Sequence, residues 1–363
     1  MRVLLCGGGS AGHVNPALAI AQTIVKNAPE SKIAYVATVS GIENELVEYK
    51  KYHIDVSGLK RKISLSNIKS IMQSFKAIKK SKEIINDFCP DIIVGTGGYA
   101  TFPVISAGHK LGIKTVLHES NAYPGKAIKM LEGKADIIFT NFESSKKYFK
   151  RKEKIIHVGN PLRHGFSEYD KQKIKNKLEI NEEYVILCYG GSLGAEKINA
   201  SAIEIIENFV RYTGNVRFIL ATGKRGYYEV IEKLKQKRLN KLKNITVCEY
   251  IHDMPEKMAV ADIVIARAGA MTISELSAMG KCSILIPSPN VADNHQYKNA
   301  IALEKKDAAI VVSEDKTYSL IDIIKEILAN PSIRQTKEAN IKSFYMPNAN
   351  KEIYKKITEL VIK

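Results

Sequence analysis

The sequence is poor in the residues that build disulfide frameworks, zinc sites and aromatic binding platforms. Tryptophan is absent, aromatic residues make up 7% of the 363 residues, and the five cysteines are widely spaced with no Cys-x-x-Cys pair. Isolated cysteines in odd number predict reduced thiols in a cytosolic protein, and they argue against a disulfide framework or a zinc ribbon. The sequence also has no Asp-x-Asp pair and no His/Cys group with ligand spacing, so we expect neither a metal nor another cofactor.

Long hydrophobic runs are missing as well. The longest uncharged stretch, residues 92–109, is interrupted by four glycines and a proline. It therefore predicts a strand, a loop and the start of a helix rather than a membrane span. We expect any membrane association to be peripheral.

Acidic residues are outnumbered by basic ones. The chain has 55 Lys and Arg against 38 Asp and Glu, a formal net charge of +17. This balance favours a polyanionic partner, namely an acidic membrane face, a phosphorylated substrate or a nucleic acid, although solubility alone is the simpler explanation. Because aromatic residues do not interleave with the basic ones, we expect no nucleic-acid partner.

The basic residues are densest between residues 50 and 82, where ten bases stand against one acid. In this segment Ile68, Met72 and Phe75 recur at helical spacing, flanked by Lys69 and Lys76. A basic amphipathic helix of this kind suits an anionic membrane surface, because apolar burial and lysine attraction add. The same apolar face equally suits packing on a sheet, and the pattern leaves both open.

An internal repeat gives the domain organisation. The segment 4–12 is echoed by 186–194, and each copy is an apolar run, a glycine-rich turn and a helical pattern. Further short apolar runs alternate with helical patterns, as in a doubly wound parallel sheet. These predicted strands are 33–37, 91–95, 115–118, 137–140 and 155–158 in the first half, then 185–188, 216–221, 245–248, 263–266, 283–286 and 309–312. We predict an N-terminal domain over 1–162, a C-terminal domain over 163–346, and a terminal helix in 347–363 that packs back on the first domain.

The first glycine-rich turn, residues 7–12, fits the Gly-x-Gly-x-x-Gly pattern. Glycines at a strand-to-helix turn let backbone N–H groups approach an anion at the helix N-terminus. A dinucleotide site would also place an acid at the end of the second strand, but that strand ends in Val36-Ala37-Thr38. The turn therefore favours another phosphate-bearing ligand over NAD, and a dinucleotide-dependent oxidoreductase is the distant alternative.

His13 follows this turn directly. Histidine titrates near neutral pH and is a natural general base. A polar residue at a helix start is the plainer interpretation, but the adjacent phosphate loop favours the catalytic one.

Two features of the second half match this chemistry. The turn 190–194, with Ser192, suits a diphosphate for the same reason as the first turn. The segment 267–275 follows a predicted strand and places Glu275 in the first turns of a helix. A carboxylate there accepts both hydroxyls of a ribose or simply interacts with the helix dipole, and the sequence does not decide between these roles.

Taken in order, these motifs resemble those of the MurG family of bacterial peptidoglycan synthesis. The resemblance runs nearly end to end, through Gly-Gly-Ser-Ala-Gly-His (8–13), Gly-Gly-Tyr (97–99), His-Glu-Ser-Asn (118–121), Gly-Asn-Pro-Leu-Arg (159–163), Gly-Gly-Ser-Leu-Gly-Ala (190–195), Tyr-Ile-His-Asp-Met (250–254), residues 267–275 and Asp-Asn-His-Gln-Tyr (293–297). The chain departs from the family at Ser120 and His295, where members often carry Gln.

The resemblance implies a function and a fold. Family members have the GT-B fold, two Rossmann-like doubly wound domains that face each other across a cleft. They transfer N-acetylglucosamine (GlcNAc) from UDP-GlcNAc to the 4-hydroxyl of MurNAc in undecaprenyl-pyrophosphoryl-MurNAc-pentapeptide (lipid I), which gives lipid II. The implied enzyme is inverting and metal-independent, and lies peripherally on the cytoplasmic face of the cell membrane with proteins of wall synthesis or division as partners. Another GT-B UDP-sugar transferase or a UDP-GlcNAc epimerase is the alternative enzyme, and a basic membrane- or nucleic-acid-binding module is the non-enzymatic one.

The resemblance also implies roles for individual residues. His13 is the base that deprotonates the MurNAc hydroxyl, and Gly9 with Gly97, Gly98 and Tyr99 holds the acceptor pyrophosphate. The residues implied in UDP-GlcNAc binding are Ser10, Ala11, Gly12, Asn121, Arg163, Ser192, Ile251, Ala270, Met271, Thr272, Ile273, Ser274, Glu275 and Gln296. Among them, the Ile251 backbone holds uracil, Glu275 the ribose, Ser192 and the 270–274 turn the diphosphate, and Asn121 with Gln296 the sugar.

Overall fold

The structure is a computed structural model that describes residues 1–56, 65–166, 169–291 and 294–362, without the side chains of 65–72 and 74. The chain divides into two compact units, one formed by Met1–Arg163 with Met346–Lys363 and the other by His164–Tyr345. The predicted boundaries lie one residue from each of these.

The first unit is built on a parallel sheet. Its strands are β1 (Arg2–Cys6), β2 (Lys32–Thr38), β3 (Lys50–Ile54), β4 (Ile92–Gly95), β5 (Lys114–Glu119), β6 (Ile137–Thr140) and β7 (Ile155–His157), and its helices include α1 (Ala11–Asn27), α2 (Glu43–Leu46), α3 (Leu65–Phe88), α4 (Thr101–Lys110) and α5 (Lys126–Leu131). Short 3-10 helices span Glu143–Tyr148 and Lys152–Lys154. The strand order is β3-β2-β1-β4-β5-β6-β7. Strands β1 and β4 are almost wholly buried because helices cover both faces of the sheet.

One strand of this sheet, β3, was missed by the sequence analysis. Its sequence Lys-Lys-Tyr-His-Ile lies within the basic segment, and only Ile54 is buried. It pairs with β2 at the edge of the sheet, where charged residues are tolerated and block further pairing. The strands listed as predicted are present with ends within one residue, and β1 begins two residues before its predicted apolar run.

The second unit repeats the same design. Its strands are β8 (Tyr184–Tyr189), β9 (Val216–Ala221), β10 (Ile245–Cys248), β11 (Ile263–Ala266), β12 (Ser283–Leu285) and β13 (Ile310–Val311), and its helices are α6 (Lys171–Lys177), α7 (Glu196–Asn208), α8 (Tyr227–Gln236), α9 (Met254–Val260), α10 (Ala270–Met279), α11 (His295–Glu304), α12 (Leu320–Ala329) and α13 (Pro331–Lys342), with 3-10 helices at Val210–Tyr212 and Glu314–Ser319. The parallel sheet has the order β10-β9-β8-β11-β12-β13. The prediction of two doubly wound α/β domains is confirmed.

The last helix, α14 (Ala349–Ile362), belongs to the first unit. Its residues Ile353 and Ile357 are buried in the apolar cluster that includes Ile20 of α1. Asn350 adds polar contacts, since its side chain bonds to both the N–H and the carbonyl of Leu162 at 3.0 and 2.8 Å. The helix therefore completes the face of the sheet that α1 begins.

Both sheets reverse their strand order at one point, between β1 and β4 and between β8 and β11. Ligands of open α/β sheets bind outside the carboxyl ends of the strands at such a point. Both predicted glycine loops follow these strands. Among the residues that the structure describes, no helix has the length and apolar content to cross a bilayer.

Candidate active site

In the first unit, the glycine loop after β1 is hydrogen-bonded to the loop after β4. The two loops meet at the switch point, where the strand order of the sheet reverses. The Gly8 N–H donates to the Gly97 carbonyl at 3.2 Å. A Cβ atom at Gly98 would lie 2.0 Å from the Gly8 carbonyl oxygen, and Gly98 has φ +82°. Only glycine fits such a contact. The structure thus brings the predicted phosphate loop together with the predicted acceptor residues Gly97, Gly98 and Tyr99.

Gly9 and Tyr99 form the outer side of this pair of loops. Gly9 has φ +83°, and a Cβ atom there would lie 3.5 Å from the Tyr99 ring, which is 53% exposed. The Gly9 N–H donates to the Glu43 carboxylate at 3.3 Å. Gly9 therefore leaves room for a ligand and allows the backbone to turn, while its N–H is already hydrogen-bonded to Glu43.

The N-terminus of α1 supplies the amides that can bind an anion. Ser10 is its N-cap residue, and its hydroxyl lies 3.2 Å from His13 Nδ1. The first turn of a helix leaves its N–H groups without intrahelical acceptors, and the helix dipole makes this end positive. The first turn of α1 contains no acidic residue that would oppose an anion. Ser10, Ala11 and Gly12 therefore lie where a phosphate group is favoured.

His13 is held beside this helix end in one tautomer. Its Nδ1 atom lies 3.0 Å from the Gly8 carbonyl oxygen, which can only accept a hydrogen bond. Nδ1 therefore carries the hydrogen, and Nε2 is the nitrogen of the neutral ring that takes up a proton. Gly97 packs against the ring edge, since a Cβ atom there would lie 2.7 Å from His13 Cδ2. The orientation suits a general base.

Residues 8–12 also fit the Gly-x-Ser-x-Gly pattern that presents a nucleophilic serine in hydrolases, and so do residues 190–194. At the first loop the ring nitrogen near the Ser10 hydroxyl is Nδ1, which already carries a hydrogen toward Gly8. That nitrogen cannot take the serine proton, so the geometry does not support Ser10 as a nucleophile.

Glu43 is a residue of this site that the sequence analysis missed. It is fully buried at the start of α2 and accepts hydrogen bonds from the Thr38 N–H at 2.8 Å, the Thr38 hydroxyl at 2.6 Å and the Gly9 N–H. The sequence signal was present, because an acid follows β2 by a few residues. A dinucleotide site would place such an acid at the end of the strand to bind ribose. Glu43 instead lies beyond the strand end, and its carboxylate accepts hydrogen bonds from Thr38 and Gly9.

Asn121 and Arg163, predicted donor contacts, follow strands β5 and β7. The Glu119 carboxylate accepts the Asn121 N–H at 2.8 Å, its side-chain amide at 3.1 Å and the Gly125 N–H at 2.8 Å. Burial raises the pKa of Glu119 above its ordinary value. Next to it, burial lowers the pKa of His118 to about 4. Glu119 thus fixes the turn at Asn121. Arg163, the last residue of the Met1–Arg163 segment of the first unit, is half-exposed.

The second glycine loop packs against the loop that follows β9. A Cβ atom at Gly194 would lie 2.2 Å from the Thr222 carbonyl oxygen, and one at Gly223 would lie 2.0 Å from the Gly194 nitrogen. The Lys224 N–H donates to the Ser192 carbonyl at 3.2 Å. These contacts hold Ser192 half-exposed just before α7, at the switch point of the second sheet.

Glu275 lies on the other side of that switch point. Helix α10 begins at Ala270 after an extended Gly269, so the predicted residues 270–274 form its first turn and the start of the next. Glu275 is buried. Burial raises the pKa of Tyr189, the last residue of β8, well above its ordinary value, and the charge of the nearby Glu275 adds to this effect. The structure therefore brings Glu275 and the second glycine loop together.

Ile251 lies on the loop after β10, and Gln296 lies at the start of helix α11. Ile251 is buried between β10 and α9, with the rings of Tyr250 and His252 in edge contact beside it at 5.0 Å. Gln296 is in the first turn of α11, and its carbonyl oxygen accepts the Ser288 N–H at 2.8 Å. This bond orients the side chain so that its NH₂ group is the end available to a sugar hydroxyl.

The predicted membrane patch is described only in part. The side chains of Ile68, Lys69 and Met72 lie outside the described residues. Phe75 is 69% exposed and Lys76 is exposed, so Phe75 does not pack on the sheet. Within the described part of the chain, no cluster of three or more His, Cys, Asp or Glu side chains is placed to hold a metal ion.

Comparison with known proteins identifies the family. The glycosyltransferase family 28 N-terminal domain matches residues 3–140, and the family 28 C-terminal domain matches residues 185–353. The UDP-N-acetylglucosamine–N-acetylmuramyl-(pentapeptide) pyrophosphoryl-undecaprenol N-acetylglucosamine transferase of Thermoanaerobacter sp. (strain X514) is 39% identical over 366 residues, covering 99% of this chain and 100% of that protein.

Solved structures agree at the level of the fold. The crystal structure of Acinetobacter baumannii MurG matches with a TM-score of 0.73 at 23% identity, covering 99% of both chains. A UDP-GlcNAc 2-epimerase from Neisseria meningitidis bound to UDP-GlcNAc matches with a TM-score of 0.65 at 17% identity, covering 99% of this chain and 100% of that one. The full-length sequence match decides between them, and the chain belongs to the MurG family of glycosyltransferases within glycosyltransferase family 28.

Proposed function

We propose that this protein transfers GlcNAc from UDP-GlcNAc to the 4-hydroxyl of the MurNAc residue of lipid I, which forms lipid II. Family membership over the whole chain supports the reaction class. The structural observation that carries the proposal is His13, a histidine with Nδ1 bonded to a carbonyl and Nε2 as the proton acceptor, beside a helix end that suits a phosphate group. A base next to an anion site is what an acceptor with a pyrophosphate and a reacting hydroxyl requires.

In the proposed mechanism His13 Nε2 removes the proton of the MurNAc hydroxyl as its oxygen attacks the anomeric carbon of GlcNAc. The bond between that carbon and the UDP oxygen breaks on the opposite side, so the α-linkage of the donor becomes a β-linkage. The acceptor pyrophosphate is assigned to the loop at Gly9 and to the loop residues Gly97–Tyr99.

The departing UDP needs stabilisation of its negative charge. We assign this to the N-terminus of α10 and the loop around Ser192, which lie on the two sides of one switch point. Preorganised amides at such ends are effective in sites that exclude water. Glu275 is assigned to the ribose, the Ile251 backbone to uracil, and Gln296 to the sugar. Ser10, Ala11, Gly12, Asn121 and Arg163 in the first unit are the remaining proposed contacts of UDP-GlcNAc.

A metal ion has no assigned role in this mechanism. We therefore expect EDTA to leave the transfer rate unchanged, and a rate that falls with EDTA and returns with added Mg²⁺ or Mn²⁺ would contradict the assignment. We also place the enzyme peripherally on the cytoplasmic membrane face, where lipid I and proteins of wall synthesis or division are its expected partners.

The test of the function is product analysis. Purified protein is incubated with UDP-GlcNAc and a lipid I analogue, and the products are separated by mass spectrometry. We expect UDP and the disaccharide lipid in equal amounts. Formation of UDP-ManNAc without acceptor would identify an epimerase, and a product from another acceptor would identify a different UDP-sugar transferase.

The base assignment is tested in the same assay with His13→Ala. We expect kcat to fall by about 10²- to 10⁴-fold, the usual contribution of a positioned base, while the Kd for UDP-GlcNAc from calorimetry stays within about twofold. His109→Ala, an exposed histidine of the same unit, is the control. Wild-type turnover in His13→Ala would remove His13 from the mechanism.

A further inference from the structure

Glu43 is a buried carboxylate that the proposed mechanism does not use. It is completely inaccessible to solvent, and its three hydrogen bonds from Thr38 and Gly9 all come from donors. Such a pattern satisfies an ionised carboxylate, which is costly to bury without donors. Glu43 is therefore able to hold the glycine loop, from whose Gly9 N–H it accepts a hydrogen bond, in one conformation.

The surrounding glycines leave room for this carboxylate. A Cβ atom at Gly8 would lie 2.6 Å from Glu43 Oε1, and one at Gly41 would lie 2.1 Å from the same atom. The carboxylate is thus in direct contact with the backbone that leads to His13, and a side chain at either position would have to displace it.

The Gly8 carbonyl and the Gly9 N–H are the two ends of a single peptide group. Its N–H donates to Glu43 Oε2 at 3.3 Å, and its carbonyl accepts from His13 Nδ1 at 3.0 Å. Because the peptide group is planar, fixing the N–H also fixes the direction of the carbonyl. Glu43, the peptide group and the imidazole therefore form one continuous chain of hydrogen bonds.

This chain has two effects on His13. Glycine on both sides of a peptide group permits backbone rotations that other residues resist, so the Glu43 contact helps to keep the Gly8 carbonyl from turning away. A carboxylate that accepts from one end of a peptide group also makes the carbonyl at the other end a stronger acceptor. Both effects favour the hydrogen on Nδ1 and a basic Nε2, as direct carboxylate–histidine pairs do.

We propose that Glu43 is a positioning residue for His13, acting through the Gly8–Gly9 peptide group to hold the Nδ1–H tautomer. This inference rests on the proposed function for its kinetic consequence. The proton removed from the acceptor hydroxyl stays on Nε2, and Glu43 takes no part in its transfer. The neighbouring Ser10 hydroxyl, at 3.2 Å from Nδ1, shares that hydrogen without changing the tautomer.

The kinetic test uses Glu43→Gln, alone and in the His13→Ala background. A neutral amide turns an NH₂ group toward one of the donors, so we expect kcat to fall about 10- to 100-fold with KM for UDP-GlcNAc within about twofold. In the His13→Ala background the same substitution should cost nothing further, because residues that act as a unit are not additive. Glu45→Gln, an exposed position of the same helix, is the matched control.

Two kinetic outcomes would overturn the proposal. One is wild-type kcat in Glu43→Gln, and the other is an equal loss of kcat in the presence and absence of His13, which would mark a purely structural role. A loss that disappears in the His13→Ala background supports it.

A second measurement tests the tautomer of His13 even if the variant does not fold or the enzyme does not use lipid I. The ¹⁵N chemical shifts of the histidine rings in the wild-type protein, with His13 assigned by comparison with His13→Ala, report the tautomer directly. We expect a predominant Nδ1–H form, and in folded Glu43→Gln a mixture of tautomers. A predominant Nε2–H form in the wild type would overturn the proposed role of Glu43. An Nδ1–H ring in a protein that transfers no GlcNAc to lipid I would overturn the proposed function alone.

Discussion

At the scale of single residues, the candidate site depends on polar side chains whose partners fix their chemistry. His13 is held in the Nδ1–H tautomer because the Gly8 carbonyl can only accept a hydrogen bond. The orientation of Asn121 is fixed because Glu119 accepts hydrogen bonds from both its backbone N–H and its side-chain amide. Sequence reasoning singled out His13 and Glu275 from their motifs and Asn121 from the family resemblance. It missed Glu43, whose role depends on a peptide group in a distant loop.

Glu275→Gln is predicted to weaken UDP-GlcNAc binding. A charged hydrogen-bond acceptor is worth about 1.5–3 kcal/mol, so KM for UDP-GlcNAc should rise by about 10- to 150-fold while kcat changes much less. Steady-state kinetics at saturating acceptor measure this. Glu204→Gln, an exposed acid of the same unit, should keep the wild-type KM. A fall in kcat with unchanged KM would contradict the ribose assignment.

His118 predicts an acid limit to stability. Burial lowers its pKa from 6.5 to about 4, so between these pH values the unfolded chain binds more protons than the folded one. The free energy of unfolding should therefore fall as pH drops from 6.5 to 4, by up to about 3 kcal/mol from this residue. Urea unfolding at a series of pH values measures the slope.

Two variants test this prediction: His118→Asn removes the buried histidine, and His109→Asn is the control. The first should flatten the stability profile between pH 6.5 and 4, and the second, at an exposed position, should leave it unchanged. Glu119, with its raised pKa, works in the opposite direction and is present in both variants. Equal slopes in wild type and His118→Asn would show that the histidine does not titrate as inferred.

At the scale of elements, the loops after β1 and β4 form one interlocked structure. Gly98 and Gly112 both have positive φ, but a Cβ atom at Gly98 meets the Gly8 carbonyl at 2.0 Å, whereas one at Gly112 meets nothing within 4 Å. Substituting alanine at either position costs about 1–2 kcal/mol of backbone strain, and only Gly98→Ala adds a clash with the site.

We therefore expect Gly98→Ala to lower kcat/KM for the acceptor at least tenfold and Gly112→Ala to keep it near wild type. Both variants should lose similar thermal stability from backbone strain, with a further loss at Gly98. Transfer assays and thermal unfolding on the two proteins separate these effects. Equal activity in both would show that the loop contact is unimportant for acceptor binding.

At the scale of the whole molecule, the net charge of +17 and the exposed Phe75 predict binding to anionic membranes. Burying a phenylalanine contributes about 1.5–3 kcal/mol, so Phe75→Glu should weaken binding to phosphatidylglycerol vesicles at least tenfold in sedimentation assays. Tyr318→Glu changes a 74% exposed ring of the other unit and should leave binding intact. Unchanged binding in Phe75→Glu would place the contact elsewhere.

The sequence by itself determined the two parallel α/β units and nearly every strand. The reason is local, since continuous apolar runs and glycine turns encode buried parallel strands wherever they occur. It could not give β3, because an edge strand needs no apolar face, and it could not give the partner of His13. The contacts of Glu43 with Gly9, of Gly98 with Gly8 and of Asn350 with Leu162 join residues far apart in the chain. Only the tertiary structure decided these, because hydrogen-bond partners and close approaches depend on which strand ends meet.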